Sequence, residues 1–333
     1  MDRAIALPAA SLIVFTAASG AGFGLLGLLG VLAVADALPM ASGFVPAAVL
    51  AGLGLVGGAL AAARCHLGRP ARMLLAFTQW RTSWLSREGV AIAASLVAAL
   101  GFASACAWPQ GESLRIAAGA TMAALATASV ACTAMIYASL RPIPQWRTWL
   151  VPAVFLLLAG MTGALVLVLL EHCFGEVRSG INGLPVTAIL AAWAAKCAYW
   201  RHLDAIPAPV CTPVAAGLNR IGRVRLLDRP LAAGDRALAE IGGGLAWAQA
   251  RTLRRVAGAL LFALPLVLTV PQPMLGRTGA TLAAAAAVLA AGAGVLLERW
   301  LFFAEARHVS RGWYGAGDNA GARRLLPPAK TGR

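Results

Sequence analysis

Charge is what this sequence has least of. Only 12% of its 333 residues are Asp, Glu, Lys or Arg, whereas soluble domains run near a quarter. With 60% hydrophobic residues and a mean hydropathy of +0.76, a water-soluble fold of this size has too little polar surface to cover itself. A soluble enzyme is thereby excluded, and the chain belongs in a bilayer. Histidine is equally scarce: His66, His172, His202 and His308 are all there are. Each falls near the end of an apolar run and none falls in the middle, where a facing pair would have to sit to hold a haem. The six cysteines, Cys65, Cys106, Cys132, Cys173, Cys197 and Cys211, form no CxxC pair. Most lie inside apolar runs, where cysteine acts as a small packing residue. An iron–sulfur cluster of the usual Cys-rich kind is therefore not expected in this chain.

What is present is long hydrophobic runs. Eight stretches approach the roughly 20 residues that a bilayer core demands. They lie at 4–35, 37–63, 89 to just before Trp108, 116–140, 148–170, 179–195, 256–276 and 278–297. The first is too long, and its flank Asp2-Arg3 too neutral, to read as a signal peptide. The expected fold class is all-α: a polytopic bundle of about eight transmembrane helices. Residues 1–310 form the helical domain, interrupted by a basic insert at about 201–255, and 311–333 form a basic tail. Glycine crowds the first two spans, at Gly20, Gly22, Gly24, Gly27 and Gly30 and again at Gly52, Gly54, Gly57 and Gly58. Small residues let helix backbones approach closely in lipid.

The connections carry an orientation signal. Segments 64–88, 141–147, 201–255 and 298–333 together hold 23 Lys or Arg, while the alternate connections hold only Arg115, Arg178 and Arg277. Positive residues stay on the cytoplasmic side, so the expected location is a bacterial inner membrane with both termini cytoplasmic. The net charge of +15 is confined to these flanks. Anionic lipid and orientation account for it, and nucleic acid is not an expected partner.

One connection is too rich for a plain loop. Residues 64–88 read RCHLGRPARMLLAFTQWRTSWLSRE. Pro70 can start a short helix, and Met73, Leu74, Leu75, Phe77 and Trp80 give it a lipid-facing side, as a re-entrant or interfacial element needs. His66 and Glu88 bracket this element at the bilayer edge. A quinone headgroup needs such a place, with hydrocarbon access for its tail and polar groups at its two carbonyls. Its reduction takes two electrons and two protons, and a His and a carboxylate can bind the carbonyls and relay the protons. The competing reading is structural: Glu88 forms an ion pair with Arg87, Arg81 or Arg64.

His66-Leu67-Gly68-Arg69-Pro70, followed by Ser83-Trp84-Leu85-Ser86-Arg87-Glu88, resembles the signature of the dimethyl-sulfoxide-reductase anchor-subunit family, within a broader group of quinone-interacting anchors. The resemblance continues at Tyr137, Pro144 and Trp146, and weakly at Glu298-Arg299-Trp300-Leu301-Phe302-Phe303. It implies a three-subunit complex. A molybdopterin catalytic subunit would do the substrate chemistry, and a ferredoxin-like subunit would carry four [4Fe–4S] clusters. This chain would be the membrane anchor, exchanging electrons with ubiquinone or menaquinone and holding no metal itself. The resemblance maps His66 and Glu88 onto the quinone-site positions. Arg69, Ser83, Trp84 and Arg87 become pocket candidates by adjacency, with Trp80 as an aromatic wall. The inward-facing charge favours an anchor similar to those of sulfite:quinone oxidoreductases over a sulfoxide-reducing one. A different class, a transporter or channel built from the glycine-rich helices, would instead require polar groups and broken helices around a central site.

Overall fold

The computed structural model describes residues 10–39, 43–64, 77–108, 111–175, 183–207, 247–307 and 309. Among these, the regular structure is entirely helical. The helices are α1 (Ala10–Val34), α2 (Phe44–Arg64), α3 (Trp84–Cys106), α4 (Glu112–Ala138), α5 (Leu150–Phe174) and α6 (Leu184–Ala205). Then follow α7 (Trp247–Gly258), a π-helical turn (Ala259–Ala263), α8 (Leu264–Thr269), a 3-10 turn (Gln272–Met274) and α9 (Arg277–Ala304). His66, Arg69, residues 208–246 of the basic insert and the 311–333 tail lie outside the described residues.

Seven stretches are long and apolar enough to cross a bilayer: α1 to α5, the run Gln249–Met274 through α7 and α8, and α9. The eighth expected span, α6, is 22 residues long but carries Lys196, Arg201 and Asp204 in its second half. Reading the sequence ended this helix at 195, before the lysine. The structure carries it on to Ala205, because Lys196 is fully buried in an ion pair with Glu298 of α9 and not snorkelling to a surface. The last span likewise runs past the expected 297 to Ala304, which draws Glu298 and Arg299 into the bundle. Both ends of the basic insert are helical too, with Arg201 on α6 and Arg251, Arg254 and Arg255 on α7.

α1 is the central element and packs against α2, α4, α5 and α9. Glycine makes three of these contacts close. A Cβ on Gly24 would lie 1.8 Å from the Ala159 carbonyl oxygen of α5, and one on Gly163 would lie 2.3 Å from the Gly24 carbonyl carbon. Gly30 meets Gly119 of α4, and Gly22 meets Gly52 of α2, in the same backbone-to-backbone manner. Without a hydrophobic effect between lipid-embedded helices, this close packing holds the bundle together.

Prolines fall where a helix tolerates them. Pro46, Pro152 and Pro185 occupy first turns of α2, α5 and α6, where no intrahelical N–H is required. Pro265 lies inside the α7–α8 span. Its ring would clash with the carbonyl four residues back, and the π-helical turn just before it absorbs the misfit.

Helix ends alternate between two faces of the bundle. At one face, Trp146 Nε1 donates to the Phe302 carbonyl (3.1 Å), the Tyr199 hydroxyl to the Gln145 carbonyl (3.2 Å), and Arg254 Nε to Glu305 Oε1 (2.7 Å). At the other, Phe44 meets Phe174 edge-on, Arg277 bonds the Cys173 carbonyl and Arg115 pairs with Asp36. The first face is where α3 begins and where segments 64–88, 141–147, 201–255 and 298–333 attach, so it is called the basic end below.

Candidate functional site

Glu88 is the fifth residue of α3, about 6 Å of helical rise from its start. This places it at the rim of the bundle's basic end. The residues before it fold back on the helix. The Gln79 carbonyl accepts from the Ser83 amide (2.9 Å), the Ser83 carbonyl from the Arg87 amide (3.1 Å), and the Phe77 ring lies 3.4 Å from where a Gly89 Cβ would stand. Ser83 occupies the N-cap of α3 in extended backbone, with no side-chain cap bond.

The structure separates the neighbouring Arg from the carboxylate. Arg87 Nε donates to the Trp80 carbonyl (3.0 Å) and its NH2 to the Arg81 carbonyl (2.7 Å), while the guanidinium lies 4.3 Å over the Trp84 ring. Trp80 is exposed, and Trp84 and Arg87 are half-buried. Trp80, Ser83, Trp84 and Arg87 thus come together as one aromatic and cationic cap at the start of α3.

Glu88 turns the other way. Its side chain is 4% exposed and its Oε1 accepts a hydrogen bond from the Thr133 hydroxyl of α4. No ion pair reaches it among the described residues. Two turns deeper, Ser95 and Ser129 exchange a hydrogen bond of 2.9 Å between the same two helices. The α3–α4 contact therefore carries a polar seam that starts at the rim.

Thr133 suits a carboxyl that changes protonation state. Its single hydroxyl proton points to Glu88, yet the Ser129 carbonyl also lies 3.1 Å from Oγ1. Facing a carboxylate, the hydroxyl donates. Facing a carboxylic acid, it can accept the acid's proton and redirect its own to Ser129, since a hydroxyl is both donor and acceptor. A fixed cation in its place would favour the charged form alone. Thr133 was not legible as a partner, because nothing in the order of residues relates it to Glu88. The faint signal was the spacing: Ser129 and Thr133 are four apart on α4 and share a face.

The weaker blocks of the sequence resemblance meet in space. Trp146 stacks on Phe302 (5.1 Å, 11° between planes) and meets Phe303 and Tyr137 edge-on, with Phe155 closing the cluster. Beside it, Glu298 bonds the buried Lys196, and the Arg299 guanidinium lies 3.6 Å over Phe155. These three charged groups went unrecognised as buried, because the sequence put Lys196 just past the sixth span and Glu298 and Arg299 just past the eighth. Among the described residues, no three His, Cys, Asp or Glu side chains gather as metal ligands would.

A multi-spanning bundle, all-helical among the described residues, with a buried carboxyl near one end defines the class: a polytopic membrane protein. The chain belongs to the DMSO reductase anchor subunit (DmsC) family, whose profile matches residues 4–223. It is therefore a membrane anchor subunit of an oxidoreductase complex. It is similar along nearly its whole length to a sulfite dehydrogenase subunit of Allochromatium vinosum, at 32% identity over 323 residues, which is 92% of this chain and 98% of that protein.

Proposed function

We propose that this chain anchors a molybdopterin catalytic subunit and a four-cluster iron–sulfur subunit at the cytoplasmic face of a bacterial inner membrane, and passes their electrons to quinone at Glu88. The observation that carries this reading is the Glu88–Thr133 pair. It is a buried carboxyl at the bilayer rim, held by a partner that serves both of its protonation states. Ionisable groups at membrane depth are expensive and are kept where they act. The aromatic cap of Trp80 and Trp84 at the lipid boundary suits a planar ring with an isoprenoid tail, and Arg87 is close enough to sense charge that develops on it. The sequence resemblance assigns His66 and Arg69 to the same pocket.

The likeness to a sulfite dehydrogenase subunit, together with the 23 basic residues on the Glu88 side, favours sulfite as the electron source over sulfoxide as the acceptor. Electrons enter from the cluster nearest the membrane. Two protons are added to the quinone oxygens, one of them from Glu88, so turnover on the cytoplasmic side moves no net charge across the membrane.

The test is Glu88→Gln in the assembled complex. The expected outcome is a fall of about 100-fold or more in quinone-linked turnover, read as its ratio to dye-linked turnover by the partner subunits, with bound quinone still extractable. An unaltered ratio would falsify the site.

A further inference from the structure

A second set of buried ionisable groups lies in the bundle, and the proposed quinone site does not use it. Lys196, Glu298 and Arg299 are 2%, 0% and 2% exposed. Lys196 Nζ bonds one oxygen of Glu298. The other oxygen, Oε2, is 3.4 Å from Arg299 Nε. Yet Glu298 Oε2 and Arg299 Nε and NH1 have no hydrogen-bond partner among the described residues. Buried polar atoms in this condition call for water.

A cavity supplies a place for it beside Arg299, though not beside Glu298. Arg299 lines it together with the hydroxyl residues Thr16, Ser19, Thr133 and Thr162, and it has room for about one water molecule. Thr16, Ser19 and Thr162 donate to carbonyls of their own helices at 3.0, 2.6 and 2.8 Å. Their lone pairs are therefore left to accept from a water held by Arg299. Thr133 is the wall that this cavity shares with Glu88, and Tyr137 lies within electrostatic range of both Glu88 and Arg299. On the other flank, Lys196 interacts electrostatically with Glu305. Arg254 bridges Glu305 and Asp204 at 2.7 Å each, and the Asp204 side chain is 54% exposed. Hydrogen bonds thus join Asp204, Arg254 and Glu305, then Lys196 and Glu298, then Thr133 and Glu88, and the relay needs water between these three groups.

We infer that this lateral seam is a proton relay: a water between Arg299 and Thr133 passes protons from the Lys196–Glu298 pair to Glu88. The inference rests on the quinone reading above and supplies its proton source. Each quinone that becomes quinol takes two electrons from the docked iron–sulfur subunit and two protons. Glu88 in its acid form gives one proton to a quinone oxygen and becomes a carboxylate, the seam returns a proton to it from the cytoplasm, and a second such round supplies the quinol's second proton. Arg299 keeps its charge throughout and acts as a positioning residue that orders the water.

The experiment compares Thr133→Val, which keeps shape and removes the hydroxyl, with Glu298→Gln, both in the complete complex in native membrane vesicles. The expected result for each is a fall of about 100-fold in the ratio of quinone-linked to dye-linked turnover, with quinone KM unchanged. The solvent deuterium isotope effect should rise, and added formate, a small acid that can carry protons into a blocked path, should recover part of the rate. If Glu298→Gln prevents assembly, Thr133→Val decides alone. Wild-type turnover and isotope effect in Thr133→Val overturn the relay, as does a defect that raises quinone KM and ignores formate. Glu88→Gln separates the two ideas. Its loss of quinone turnover beside a normal Thr133→Val sinks only the relay, whereas its retention of turnover sinks the quinone reading.

Discussion

At the scale of single residues, the least expected feature is a lysine and a glutamate paired inside a lipid-embedded bundle. Lys196 and Glu298 come from helices 102 positions apart in sequence, and each would be costly alone. Removing one partner of a buried ion pair leaves an uncompensated charge and typically costs about 3–5 kcal/mol, whereas replacing both with apolar residues of similar size is often near neutral. Lys196→Met should therefore lower the melting temperature of the detergent-solubilised protein markedly. The double change Lys196→Met with Glu298→Met should restore most of the loss. Equal destabilisation by the single and the double change would show that the pair does not stabilise through its mutual charge. The same pair marks the limit of the sequence. Glu88 was recognisable because a short segment surrounds it with a His, aromatics and arginines. Lys196 was misplaced because its partner lies two spans away and the local pattern reads simply as a helix end.

At the scale of helices, α1 organises the bundle through glycine. α1 and α2 hold nine glycines, but the sequence could not say which of them touch anything. Gly24 abuts the α5 backbone, whereas a Cβ on Gly54, Gly57 or Gly58 meets nothing within 4 Å. Periodicity alone cannot separate them, because lipid and helix neighbours present equally apolar surroundings. The difference predicts opposite outcomes. Gly24→Leu should abolish accumulation of folded protein in the membrane, since no side-chain shift can clear a backbone carbonyl. Gly57→Ala should be neutral or stabilising by about 1 kcal/mol, the helix-propensity gain over glycine. Yield of monodisperse protein after extraction, followed by thermal unfolding, tests both. The existence and order of the helices were legible from hydropathy, apart from the starts of α3 and α7 and the ends of α6 and α9. Those ends were cut short because charge was taken as a boundary. In the structure the charges neutralise one another across the interface and let both helices continue.

At the scale of the whole molecule, the question is which way the bundle faces. α1 and α5 have 25 residues each, about 37 Å of rise against a hydrocarbon core of about 30 Å, so the helix ends reach the headgroups on both sides. Exposed tryptophans stand where such ends should be anchored. Trp80 and Trp149 are 53% and 76% exposed at the basic end, and Trp108 is 69% exposed at the other. Tryptophan collects at both interfaces and so fixes depth but not direction. Direction rests on the basic residues, which attach to the Trp149 end. In a variant free of native cysteines, Trp108→Cys should react with a membrane-impermeant maleimide added to intact spheroplasts. Trp149→Cys should react only after the membrane is opened. The reverse pattern would turn the Glu88 rim toward the periplasm. The electron-donating subunits would then have to dock outside, and the proton taken up at Glu88 would come from the outer compartment. A reversed labelling pattern would thus overturn the sulfite assignment, while the Glu88–Thr133 pair and its test would stand unchanged, because their chemistry depends on depth in the bilayer and not on the side.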